Sequence, residues 1–328
     1  MSRERDASAG ASSVEGAERR ARCFVLVMCG LPGAGKSTLA RALDARGRAR
    51  RGVDASVVWV CFDAIERETR GREGGGEWDR DAWRRGRAAA KARLRAAIER
   101  GVAGEGETVV IVDDNMYYSG MRYEVFREAR DRGAACAACH ARASVETARE
   151  RNGRRTGSER VGEASFDRMV DAFEAPEVTA PGDFSTAFPA FVIDTSETVD
   201  AEAFWTRASA YWGPAPPRPS SDAEREVERA RARAETSASA THALDVRTRG
   251  VVARTIARAK TSGLAPDAVA RVAGALNDAR RELLGAFRTR LRRWNDSSDP
   301  DAESPFDAIE EIAREFDASA ATLALASR

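Results

Sequence analysis

The chain has 328 residues, 53 Lys and Arg against 52 Asp and Glu, two His and a formal net charge of +1. That length holds one large α/β domain with an appendage, or two domains, and a 43% hydrophobic fraction fills a core, which excludes global disorder. No run of about 18 apolar residues reads as a membrane-spanning helix, and the near-neutral total excludes a uniformly basic coat for nucleic acid.

Residues 1–21 are small, polar and charged with no apolar stretch, which reads as a disordered tail without a secretory signal. Cys23–Cys29 is a continuous apolar run between charge and glycine, the pattern of a parallel strand buried on both faces. Similar runs recur at Ser56–Phe62, Val109–Val112 and Phe188–Ile193, with a weaker one over Ala134–Ala141. Helical stretches fall between them at Ser37–Ala49, Ala82–Arg100, Met121–Arg132 and Val145–Arg151, while Gly71–Gly76 reads as a surface loop. Alternating strands and helices make βαβ units with a parallel sheet. The proline-rich stretch Gly213–Ser221 marks a linker, placed over 214–240 between a domain at 22–213 and a helical domain at 241–328. In that last domain Val251, Val252, Ile256 and Ala259, then Val269, Val272, Leu276, Leu283, Leu284 and Phe287, recur at helical spacing, with Pro266 opening the second helix. The fold expected is α/β: a phosphate-loop kinase domain with a parallel sheet flanked by helices, followed by a C-terminal helical domain.

Cys23, Cys29 and Cys61 sit in the apolar runs as small hydrophobes. Cys136 and Cys139 have the spacing of a metal or redox pair, but no second pair exists, so they read as a reduced structural pair in a cytoplasmic protein.

Gly30-Leu31-Pro32-Gly33-Ala34-Gly35-Lys36-Ser37, followed by Thr38, matches the G-x-x-x-x-G-K-[ST] phosphate loop, with a buried strand before it and a helix after. Backbone N–H groups and the helix N-terminus converge on phosphate oxygens there. Lys36 would bridge the β- and γ-phosphates, and Ser37 would ligate Mg²⁺. In so arginine-rich a chain, a lysine retained at this point is informative, because a guanidinium does not replace a compact ammonium. Asp63 and Asp113 with Asp114 close the second and third strands, where an open α/β sheet forms its ligand crevice; a carboxylate so placed also serves as a helix cap. Arg151 and Arg155, in Glu150-Arg-Asn-Gly-Arg-Arg155, suit either a lid closing over phosphates or a solvated basic turn.

The segment Asp113-Asp-Asn-Met-Tyr-Tyr-Ser-Gly-Met-Arg-Tyr-Glu124 closely resembles a motif of the L-seryl-tRNA(Sec) kinase family. Trp83–Arg87, Glu150–Arg155, Met169 with Phe173–Pro176, and Asn277–Phe287 extend the resemblance over roughly residues 24–320. It implies transfer of the γ-phosphate of ATP to the seryl hydroxyl of Ser-tRNA(Sec), with Mg²⁺, in selenocysteine biosynthesis. Lys36, Arg151 and Arg155 would then serve the transferring phosphate, Asp63 would orient or deprotonate the hydroxyl, and Ser37, Asp63 and Asp113 would hold the metal. The same segment is similar to that of the sister Kti12-like group of tRNA-associated ATPases, which act with the Elongator tRNA-modification machinery. Gly120 leans toward that group, whereas Asp113-Asp114-Asn115 and Tyr117-Tyr118 lean toward the kinases; the kinase is the main expectation and the Kti12-like ATPase the alternative.

The charge is unevenly spread: residues 225–294 carry a net +9 and residues 295–328 a net −7. Basic helices supply counterion-release affinity for an RNA backbone. Combined with the resemblance, this assigns tRNA contacts to Arg247, Arg254, Arg258, Arg288 and Arg292.

Overall fold

The computed structural model describes residues 20–49, 55–70, 80–183, 189–218, 221–296 and 305–326. The expected loop Gly71–Gly76 and nearly all of the expected N-terminal tail lie outside the described residues. In chain order the elements of the first domain are β1 (Cys23–Cys29), α1 (Lys36–Ala49), β2 (Ala55–Cys61), α2 (Phe62–Arg70), α3 (Arg80–Ala103) and β3 (Glu107–Asp113). They continue with α4 (Ser119–Arg132), β4 (Ala135–Arg142), α5 (Val145–Gly153), α6 (Glu163–Asp171), β5 (Ala190–Asp194) and α7 (Ala201–Ser209).

All five strands are parallel, in the order β2-β3-β1-β4-β5. β1 lies at the centre with all seven residues buried, because its side chains alternate between two cores. Val25 and Val27 pack with Val110, Phe62, Ile98 and Phe126 under α3 and α4. Phe24, Leu26 and Met28 pack with Leu43, Ile111, Phe204 and Trp212 under α1 and α7. The chain builds β2 and β3 on one side of β1 and β4 and β5 on the other, so the reversal of strand order falls at the carboxyl end of β1, where such sheets hold ligands.

Three helices go beyond the sequence reading. Phe62 and Asp63 open α2 instead of closing β2, and Phe62 and Ile65 supply its buried side. The helix is three-residue spacing hidden in a charged stretch. α6 buries Phe166 and is tied to α5 by Arg149, which pairs with Asp167 at 2.7 Å; α7 is held by Phe204 and Ala208, with Asp200 capping it through Ala203 N–H at 3.0 Å. Cys136 and Cys139 face opposite cores, as residues three apart on a strand must, so the pair forms no chelate.

The C-terminal region is three helices, α8 (Asp222–Thr261), α9 (Pro266–Asp296) and α10 (Pro305–Ala326). α8 begins inside the stretch read as linker, which leaves only the proline-rich residues before Asp222 as connection. Gly263, at φ +78°, ends α8 and lets the chain double back into α9 at Pro266. α10 lies on both helices through Phe306, Ile309, Ile312 and Phe316, so the acidic end docks by its apolar face. Among the described residues no helix is long and apolar enough to cross a membrane.

Candidate nucleotide site and RNA surface

The loop between β1 and α1 is fixed by close packing. Gly33 has φ +84°, and a Cβ there would sit 2.1 Å from the Ala148 carbonyl oxygen of α5, so only glycine fits. Gly30 N–H donates to the Asn115 carbonyl at 3.1 Å, and the buried Thr195 hydroxyl donates to the Ala34 carbonyl at 2.7 Å. Leu31, Pro32 and Ala34 complete the loop, and Gly35 accepts the N–H of Thr38 at 3.1 Å as α1 begins. Lys36 and Ser37 therefore occupy the first turn of α1, at its positive end.

Each residue of the Asp113-Asp114-Asn115 run has a different partner. Asp113 accepts from the Ser37 hydroxyl at 3.3 Å and from the Trp59 indole of β2 at 3.2 Å. Asp114 pairs with Arg87 of α3 at 2.5 Å, and both side chains are buried. Arg87 also approaches Glu66 of α2 at 3.8 Å, which ties α2 and α3 to the end of β3. Asn115 Oδ1 accepts from Lys36 Nζ at 2.9 Å, and the same ammonium donates to the Gly30 and Leu31 carbonyls at 2.9 Å each.

The electrostatics follow from this crowding. Burial lowers the Lys36 pKa below its ordinary value, against the opposing pull of Asp113, Asp63 and Asp114. Burial raises Asp113, with Lys36 and the Ser37 and Trp59 hydrogen bonds acting in the other direction. Asp63 opens to solvent at the crevice, yet desolvation on its protein side, then the like charges of Asp114 and Asp113, raise its carboxyl too. Burial alone would raise Asp114, but Arg87 overrides it and the carboxyl is held below the usual range.

Among the described residues no cluster of three or more His, Cys, Asp and Glu could hold a metal by itself. The Ser37–Asp113 pair nevertheless fits Mg²⁺. It is an oxygen-only donor set beside a phosphate loop, and this ion characteristically takes one or two protein ligands plus phosphate oxygens and water.

The two lid arginines separate. Arg151 donates to the carbonyls of Thr195 at 2.7 Å and Ser196 at 2.9 Å, so it braces the segment after β5 against α5 and is no free phosphate ligand. Arg155 is half-buried, donates to the Glu159 carbonyl at 3.4 Å, and its charge reaches Lys36. Asn152, unmarked in the sequence reading, is fully buried and clamps both backbone groups of Val161, at 2.7 and 3.1 Å. Sequence also passed over Asn115, Trp59, Arg87 and Thr195 as site-builders. Asn115 and Arg87 lie in segments that carry the family resemblance without a role attached to them, whereas Trp59 and Thr195 are marked only by position near a strand end.

On the helical region, Arg254, Arg258, Arg288 and Arg292 are exposed, as an RNA surface requires. Arg247 is not: it is 3% exposed, its guanidinium donates to the Tyr117 hydroxyl at 3.2 Å, and it belongs to the contact between the two domains. The Arg280–Asp245 ion pair sets α8 against α9, placing Arg288 and Arg292 beside His242 in a groove of about 600 Å³. Arg254 and Arg258 lie toward the other end of the hairpin, about 20 Å away at 1.5 Å per residue.

A family model described as "Chromatin associated protein KTI12" matches residues 24–276. A Rattus norvegicus protein KTI12 homolog is 35% identical over 111 residues, 32% of this chain and 27% of its own. A Xenopus laevis protein KTI12 homolog is 28% identical over 157 residues, 47% of this chain and 51% of its own. The chain thus spans a quarter to a half of the length of these curated relatives. The crystal structure of Chaetomium thermophilum Kti12 in complex with ADP-AlF3 aligns at a TM-score of 0.41 and 25% identity, covering 58% of this chain and all of that one. Of the two resemblances carried by the Asp113–Glu124 segment, these matches fall on the Kti12 side, where Gly120 pointed; they give the seryl-tRNA(Sec) kinase reading, and with it selenocysteine biosynthesis, no support.

Proposed function

The chain belongs to the KTI12 family, and on that premise we propose that it is a tRNA-binding ATPase whose nucleotide cycle serves the Elongator-linked modification machinery that the sequence resemblance implies. The observation that carries the reading is the meeting of Lys36, Ser37 and Asp113 at the carboxyl ends of β1 and β3, in a chain with a separate arginine-bearing helical hairpin.

The loop N–H groups and the start of α1 bind the phosphates, and the Lys36 ammonium neutralises their charge. Asp113 holds the Ser37 hydroxyl in place for Mg²⁺, which when bound neutralises charge on the β- and γ-phosphates. Phosphoryl transfer is loose and needs positioning more than a strong base. Asp63, with its raised carboxyl at the open side of the crevice, orients the attacking hydroxyl and accepts its proton. That hydroxyl is water in an ATPase and a seryl group in a kinase, so one set of residues serves either chemistry and the product decides between them. Arg155 adds positive charge where it develops. The exposed arginines of α8 and α9 grip the RNA backbone.

The test is the fate of γ-labelled ATP incubated with the protein and either uncharged tRNA or Ser-tRNA(Sec). Labelled free phosphate in both, with no label on the aminoacyl-tRNA, is expected. Label on the seryl group would overturn the ATPase reading in favour of the kinase. Asp63→Asn is expected to slow phosphate release by about 100-fold and to leave tRNA affinity unchanged.

A further inference from the structure

We propose that Asn115 is a positioning residue that sets the availability of Lys36 for phosphate, holding the ammonium with a neutral acceptor and yielding it when a nucleotide arrives. The inference rests on the nucleotide-binding reading above and adds a role for a residue outside the phosphate loop.

An ammonium has three N–H donors and no acceptor. Lys36 Nζ spends them on Gly30 O, Leu31 O and Asn115 Oδ1, each at 2.9 Å. A phosphate oxygen can reach this lysine only by taking the place of one of the three. Two are backbone carbonyls of the loop itself, and moving them would move the loop. Gly30 is fixed by its N–H bond to the Asn115 carbonyl at 3.1 Å, and a Cβ on it would stand 2.5 Å from the Ala141 carbonyl oxygen. The third is a side-chain amide with rotatable bonds. The backbone of Asn115 is tied down, its N–H donating to Asp114 Oδ1 at 2.7 Å, while among the described residues its amide nitrogen meets only the Met169 sulfur at 4.0 Å, a weak acceptor. The side chain can therefore turn away while the main chain stays.

The neutrality of the amide matters as much as its mobility. A carboxylate at this position would add the attraction of an opposite charge to the ammonium's hydrogen bond, in a site shielded from water, and would compete with phosphate. A side chain with no acceptor would leave the ammonium one partner short, a deficit that phosphate would repair. Substitutions in these two directions should move nucleotide affinity in opposite senses, which a merely structural contact would not do.

The experiment measures binding of ADP and of a non-hydrolysable ATP analogue to the full chain by calorimetry, with thermal stability recorded for each variant. Asn115→Ala and Asn115→Leu, neither of which carries an acceptor, are expected to bind about threefold to tenfold tighter than the wild type, and Asn115→Asp at least about tenfold weaker. Ala and Leu act as duplicates should one of them fail to fold. Equal affinities across the set, or weakening in Ala, Leu and Asp alike, would overturn the role assigned to Asn115 while leaving nucleotide binding intact. Failure of the wild type to bind either nucleotide would overturn the parent reading along with it.

Discussion

Asp113 is held from two sides, by the Ser37 hydroxyl and by the Trp59 indole, and that fixes which of its oxygens faces the phosphate loop. Both hydrogen bonds favour the ionised carboxylate against the burial that opposes it. Trp59→Phe keeps the ring but removes the donor, so the carboxyl pKa rises further and metal competes less well with the proton. The Mg²⁺ concentration for half-maximal ATP hydrolysis should rise about threefold to tenfold, with little change at saturating Mg²⁺; a Mg²⁺ titration of the two proteins checks this. His140 gives a separate pH dependence. Burial, then the charges of Arg122, Arg142 and Lys36, hold its pKa down from 6.5 to about 4. As pH falls through that window the unfolded chain takes up a proton that the folded chain refuses, so stability declines from about pH 6.5 toward pH 4. His140→Asn should flatten that decline, as followed by urea unfolding at several pH values. At this scale the sequence showed Lys36, Ser37 and Asp113 because they belong to a motif with a fixed chemistry. Trp59 carries no such mark, and Asn115 stands in a motif that names it without giving it a task. Their roles arise from strand pairing, which sets Trp59 opposite Ile111 on β3, and from the loop that crosses the end of β1.

The eight residues Asp113–Gly120 form a connector between two parts of the protein. Its first three residues engage the nucleotide site, whereas Tyr117 and Tyr118 pack in the core of the C-terminal helices. Tyr118 stacks on Phe306 of α10 with ring centroids 5.1 Å apart. Gly120 opens α4 directly beneath that ring, and a Cβ there would lie 2.2 Å from Phe306 Cζ. Gly120→Val should therefore destabilise the protein by about 1–3 kcal/mol through overpacking. Adding Phe306→Ala should recover part of that loss, and a double-mutant cycle by urea unfolding reads the coupling. Additive losses would show that the two residues do not meet. The sequence made the connector conspicuous through its motif, but its partners lie far along the chain, where only folding brings them. The same separation explains Arg247. In sequence it is one of many arginines on a basic helix; in the fold it points inward at Tyr117. Strands were easier to read: β1, covered on both faces, is a bare apolar run, whereas α2 is mostly charged and shows only Phe62 and Ile65.

For the molecule as a whole, the net charge of +1 hides a basic hairpin and an acidic end that pack together. Because α10 docks through apolar side chains, its acids do not have to neutralise the arginines of α8 and α9. Exposed Arg254, Arg258, Arg288 and Arg292 are thus spread along a rod about 20 Å long, on a scale that suits the phosphate track of an RNA. Binding through such contacts weakens steeply with salt, so tRNA affinity should fall as ionic strength rises while ADP affinity changes far less. The connector touches both the phosphate loop and the core of the C-terminal helices, a continuous path through which RNA on the helices can bias the nucleotide site. The most direct measurement is the steady-state rate of ATP hydrolysis with and without uncharged tRNA, in the wild type and in a chain carrying Arg288→Glu and Arg292→Glu. The rate of the wild type should rise about tenfold on adding tRNA, a lowering of the barrier by about 1.4 kcal/mol, and the doubly substituted chain should lose that rise. A wild-type rate indifferent to tRNA would contradict the account.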